Sequence, residues 1–265
     1  MAKKAEVKKG MERAQELALK GAAGALTTAV DFAADAGLGL EGTDKASFAI
    51  PFLAVLQSNS PALDTVDGAK AGMFMNTVTN ELYSEALVIP VAFQRRYLAW
   101  APRTAGGGFR GEHSVLVVEG AANELGWKKN AMGQLELPDG AVLKDTRNHF
   151  IILLTEDGGS VQALLSLSST QIKKSKRWMS RIQSIQMKTP AGKLYTPPSF
   201  SHVYKLTTLN ESNEKGTWKG IQVDLVGPVA DPEQYAAAKH FHTLVVAGKV
   251  EVATPPAEGE GGEAF

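Results

Sequence analysis

Apolar residues run without a break through Phe150-Ile151-Ile152-Leu153-Leu154, stop at Glu156-Asp157-Gly158-Gly159, and resume as Val161-Gln162-Ala163-Leu164-Leu165-Ser166-Leu167. Two short apolar runs around a glycine-containing polar turn predict a buried β-hairpin. The period then changes. From Ser168 or Ser169, each suited to cap a helix N-terminus, Ile172, Met179 and Ile182 mark one helical face, with Trp178 and Ile185 broadening it. Lys173, Arg177 and Arg181 fall at i, i+4 and i+8 with Lys174 beside them and Lys176 within the same run, so the opposite face is a basic stripe. A buried hairpin feeding such a helix is a scaffold that presents positive charge.

The same patterns organise the rest of the chain. Structured sequence is expected from Phe48, with Ile50 to Leu56 as an apolar segment, Gly72 to Asn76 leading to a turn at Thr79-Asn80, and Ala86 to Phe93 as a strand. Pro90 inside that strand calls for an edge or a bulge, because proline donates no ladder hydrogen bond. Ser114-Val115-Leu116-Val117-Val118 reads as a strand, and Leu135-Glu136-Leu137 as a hairpin arm closed by Pro138-Asp139-Gly140. His202 to Thr207 and Trp218 to Val226 read as strands around a polar turn at Asn210 to Gly216. Asp231-Pro232-Glu233 starts a final helix reaching Val246, acids lying near the positive end of its dipole. Residues 1–45, rich in Ala, Lys, Glu and Gly, form a flexible or partly helical N-terminal arm; residues 46–250 form the body; residues 251–265, rich in Pro, Gly and Glu, form a disordered acidic tail. The fold class is mainly β with added helices (α+β).

Composition narrows the chemistry. A chain of 265 residues, 44% of them hydrophobic, can bury a substantial core. With no cysteine, thiolate nucleophiles, disulfides and Cys-ligated zinc are excluded, and the N-terminal residues lack the apolar core of a signal peptide. No run approaches the ~20 apolar residues of a membrane span, and a cytoplasmic protein is expected. Five scattered histidines, and the absence of a Gly-x-Ser-x-Gly elbow, a phosphate-binding loop and a dinucleotide fingerprint, argue against an enzyme; no cofactor or metal is expected.

Charge totals conceal the more useful signal. The 28 basic and 28 acidic side chains cancel, yet no acid occurs between Glu85 and Glu112, where Arg95, Arg96, Arg103 and Arg110 interleave with Tyr97, Trp100 and Phe109. Aromatic faces that stack on bases and cations that track phosphates are what single-stranded nucleic acid requires. Those seven residues are the expected stacking and phosphate contacts. Lys173, Lys174, Lys176, Arg177 and Arg181 are the expected basic wall, with Trp178 the residue able to do both.

The β-rich body, the aromatic and arginine segment, the basic helix and the terminal Glu258-Gly259-Glu260-Gly261-Gly262-Glu263-Ala264-Phe265 together resemble single-stranded-DNA-binding proteins of bacteriophages. Ile50 to Pro61 and Gly72 to Thr77 resemble them as well. The resemblance implies an OB-like barrel, here elaborated with helices because the body exceeds a minimal five-stranded barrel. It further implies that Glu258, Glu260, Glu263 and Phe265 dock replication or recombination proteins and compete with DNA for the basic groove. The expected partners are single-stranded DNA, those proteins and a further copy of the chain, and no membrane. A virion structural or assembly protein is the alternative from another class, and a DNA-processing enzyme is a third.

Overall fold

Ala86 to Phe93 and Phe150 to Leu154, two separate apolar runs in the sequence, lie side by side at the centre of the fold. This computed structural model describes residues 35, 38–42, 49–102, 106–125, 127–130, 134–156, 158–214 and 216–253. The chain divides into two units, Met1–Asp44 and Lys45–Phe265, and the architecture below is that of the second. Arg103, most of the expected N-terminal arm, and Glu258, Glu260, Glu263 and Phe265 of the expected tail lie outside the described residues.

In chain order the elements are β1 (Leu53–Val55), α1 (Ala62–Thr65), β2 (Phe74–Asn76), β3 (Leu82–Tyr83), β4 (Ala86–Trp100), β5 (Phe109–Ser114), α2 (Val115–Leu125), β6 (Leu135–Glu136) and β7 (Val142–Leu154). They continue with β8 (Ser160–Ser168), α3 (Ile172–Ser184), β9 (Met187–Lys188), β10 (Leu194–Tyr195), β11 (His202–Asn213), β12 (Gly216–Pro228) and α4 (Pro232–Val246). The described strands build antiparallel sheets of seven, three and two strands. The body is therefore mainly β with helices, as expected, but the sheets are open and the described strands close no barrel.

β4 and β7 form the spine of the large sheet, paired from Leu87 with Leu154 to Trp100 with Val142. β11 joins β4 only at Ala86 to Val88, and β5 joins it only at Arg96 to Trp100. β8 and β6 divide the other edge of β7 in the same way. The hairpin read from the apolar runs is β7 and β8, with Phe150 opposite Leu164 and a turn held by Thr155 and Gly159. β11 and β12 are the second expected hairpin, turning at Asn213 and Gly216.

Two helical layers cover this sheet. On one face Val88, Ile151, Leu153, Leu165 and Tyr204 pack under Trp178 and Ile182 of α3. On the other, Ile89, Val91, Phe150 and Ile152 pack against Ala238, Phe241 and Val245 of α4. The Asp231 carboxylate caps α4, accepting from the Glu233 N–H at 2.8 Å with Pro232 in the first turn, as its sequence predicts.

Three local readings are settled by tertiary packing. A bulge does occur at Pro90: the pairing jumps between Pro90 and Ala92, so Val91 and Ala92 both face the α4 layer. Ser114 to Val118 is not a continuing strand. β5 ends at Ser114, whose Oγ accepts from the Val117 N–H at 3.3 Å, and α2 begins there, burying Val118 against Tyr97, Ala99 and Leu143. Its β-branched residues favour a strand locally, but the chain leaves the edge of β4 after Ser114, and the helix gains the burial of Val118. Neither Ser168 nor Ser169 caps α3 directly, because a 3₁₀ turn over Ser169–Gln171 comes first and the helix starts at Ile172.

Candidate functional site

α3 is fixed to the sheet by one aromatic stack. The Trp178 ring is 1% exposed, lies 4.6 Å from the His149 ring at 19°, and meets Tyr204 edge-on at 5.7 Å. His149 Nε2 and Ser175 Oγ share a hydrogen bond of 2.8 Å, which ties the same turn of helix to β7. Burial, aided by the nearby Arg147 charge, pushes the His149 pKa down to about 3, so its ring is neutral at ordinary pH. Burying Trp178 and Ile182 contributes ~1.5–3 kcal/mol apiece, whereas a like-charge pair one turn apart costs ~0.2–0.5 kcal/mol. The anchor outweighs the repulsion, and the helix can hold its cations in line.

Lys173, Lys176, Arg177 and Arg181 are exposed, and among the described residues none of Lys173, Lys176 and Arg177 has an acidic partner. Arg181 Nη1 donates to the Val223 carbonyl at 3.0 Å, turning its guanidinium toward β12. Lys174 is half-buried and paired with Glu211, which also accepts from Trp218 Nε1. The Glu211 carboxylate lies against Gly220, where a Cβ would displace it.

Grooves flank the helix. Between α3 and β12 lies one of about 440 Å³, walled by Lys174, Arg177 and Arg181 and, from the strand, by Gln222 and Asp224. On the other side of α3 lies one of about 690 Å³, with Lys176, Met179 and Gln183 on the helix and Phe93 and Arg147 on the sheet.

Strand alternation divides the expected arginine and aromatic segment between two faces. Arg95 and Tyr97 share the α3 face with Arg147 and His149, whereas Arg96, Leu98 and Trp100 point the other way. Arg95 forks onto Asp145 at 3.0 and 2.9 Å, reaches Glu119 at 2.9 Å, and stacks over the Tyr97 ring at 5.3 Å. The Asp145 carboxylate holds the Arg95 guanidinium firmly protonated, and Arg147 shares that carboxylate at 3.1 Å. Arg96 pairs with Glu112 at 2.7 Å. Tyr97 and Trp100 are buried, Phe109 packs on Trp100 at 5.6 Å, and Arg110 is exposed on β5. Tyr97, Trp100 and Trp178 thus present no open ring face for a base. Trp127 packs with Val118 and Leu143 as the hydrophobic anchor of its loop.

An acid-free sequence segment is not acid-free in space: Asp145 and Glu119, 50 and 24 positions beyond Arg95, return to neutralise it. Phe93 and Arg147 are the residues that sequence reasoning passed over. Phe93 ends the strand expected from Ala86, and the available signal was Pro90, whose bulge resets which residues face α3.

Among the described residues no group of three or more His, Asp or Glu could hold a metal ion, and no helix is long and apolar enough to cross a membrane. No curated protein and no solved structure matches the chain. A family model described as Pam3 phage gp34-like protein matches residues 20–251, which takes in the whole sheet, α3 and both grooves. The chain therefore belongs to the Pam3 phage gp34-like protein family.

Proposed function

We propose that this chain is a non-catalytic protein that binds single-stranded DNA with little sequence preference and covers it during phage replication or recombination. The observation that carries the reading is the line of exposed cations on α3, three of them without a described acidic partner, set between two grooves on one sheet face. A polyanion supplies the missing counter-charge, and binding it releases the ions condensed on its phosphates. In this reading Lys173, Lys176, Arg177 and Arg181 contact phosphates, and Lys174 joins them if Glu211 moves aside. The OB-like part of the proposal is a grooved antiparallel sheet on which a helix provides the wall that closure provides in a barrel. Glu258, Glu260, Glu263 and Phe265 remain the proposed docking segment for replication or recombination proteins, and the host cytoplasm the proposed location.

Fluorescence anisotropy with labelled oligo(dT) at two salt concentrations tests this. Binding is expected at low salt and should weaken as salt rises. Reversing Lys173, Arg177 and Arg181 to glutamate should flatten the log–log salt slope by about 2, at about 0.7 for each lost phosphate contact on a single strand. No binding at low salt, equal binding of duplex, or hydrolysis of the probe with Mg²⁺ refutes the proposal. A virion assembly role is the second reading, favoured by Leu116 and Val117 on α2, which are 87% and 60% exposed. It predicts self-association in sedimentation velocity that Leu116→Glu abolishes.

A further inference from the structure

We propose that Phe93 is a base-stacking platform, and that the groove it shares with Lys176 and Arg147 takes an unstacked nucleobase whose flanking phosphates lie along α3. This rests on the single-stranded-DNA reading above. Stacking needs a ring with one face open to solvent and the other held still. Tyr97, Trp100 and Trp178 fail the first condition, being buried. Phe93 meets both: it is 37% exposed, and its ring leans at 58° on His149, 5.1 Å away, which is itself stacked on Trp178.

The bulge is what brings this ring to the grooved face. Before it, Ala86 and Val88 point toward α3; after it, Phe93, Arg95 and Tyr97 do. In an unbulged β4, alternation would give that face Gln94 and Arg96 instead. A single exposed phenylalanine is ordinary on a protein surface. This one stands in a groove of about 690 Å³ beside Lys176, which has no acidic partner among the described residues, and Arg147, which is anchored on Asp145. An aromatic face flanked by cations is the arrangement by which single strands are held without sequence preference.

Phe93→Leu keeps apolar bulk and removes the π-face. It should weaken oligo(dT) binding by about fivefold or more, the effect of one lost stacking contact, without changing the salt slope. Phe93→Trp should retain affinity. Its added emission, taken as the difference from the wild-type protein, should be quenched by oligo(dT) but not by an abasic oligomer of equal length. Far-UV circular dichroism confirms that both variants are folded. If wild-type protein binds oligo(dT) and Phe93→Leu binds as tightly, or the Phe93→Trp emission does not respond to bases, the stacking assignment is overturned while the broader reading stands. If wild-type protein does not bind oligo(dT), the broader reading itself has failed.

Discussion

Acid should weaken this protein through His149, and His149→Gln should remove that sensitivity. The imidazole is 1% exposed, sandwiched between Phe93 and Trp178, bonded to Ser175, and held to a pKa of about 3 chiefly by burial. In the unfolded chain it titrates near its ordinary 6.5. The folded-state value is the lower one, so the stabilisation is fully present above about pH 6.5 and is lost as pH falls toward about 3, because the unfolded state takes up the proton first. Each pH unit inside that window costs about 1.4 kcal/mol, so at pH 5 the loss is about 2 kcal/mol. That is a large share of the ~5–15 kcal/mol that stabilises a typical domain. Urea unfolding at pH 7.5 and pH 5.0, on wild type and His149→Gln, isolates this group, since the titrating carboxylates are common to both proteins. The wild type should lose about 2 kcal/mol more than the variant between the two pH values. Equal losses would refute the argument that this ring is held neutral under α3.

Three further outcomes follow from the same geometry. Trp178→Ala should lower unfolding free energy by ~3–5 kcal/mol in urea titrations, because it removes the buried anchor of α3. Arg95→Met should cost ~1.5–3 kcal/mol of stability through its lost charged hydrogen bonds, yet leave oligo(dT) affinity unchanged, because Asp145 and Glu119 already occupy that guanidinium. Glu211→Gln should raise oligo(dT) affinity and steepen the salt slope by about 0.7, measured by anisotropy, because it frees Lys174 for a phosphate.

Some of this molecule was legible in its sequence. The β7 and β8 hairpin, the β11 and β12 hairpin, the Asp231 cap of α4 and the amphipathic split of α3 each depend on neighbours within a few turns or residues, so periodicity and turn chemistry reveal them. The basic stripe belongs to this group, since i, i+4 spacing alone places its members on one face.

What spacing could not supply was which distant side chains meet. Val115 to Val118 has strand propensity and becomes helix, which buries Val118 against Tyr97, Ala99 and Leu143. Arg95 and Arg96 lie in an acid-free stretch yet are both neutralised, one by Asp145 and Glu119 and the other by Glu112 across the ladder. Trp178 has the ring for stacking and spends it on His149. Phe93 faces the groove because one bulged residue at Pro90 reverses the alternation of everything after it in β4. The sequence by itself determined where hairpins turn and which side of α3 is charged, because those depend on local period. Tertiary structure alone decided which cations stay unpaired and which aromatic rings are covered or left exposed, because pairing and burial are set by contacts between segments far apart in the chain.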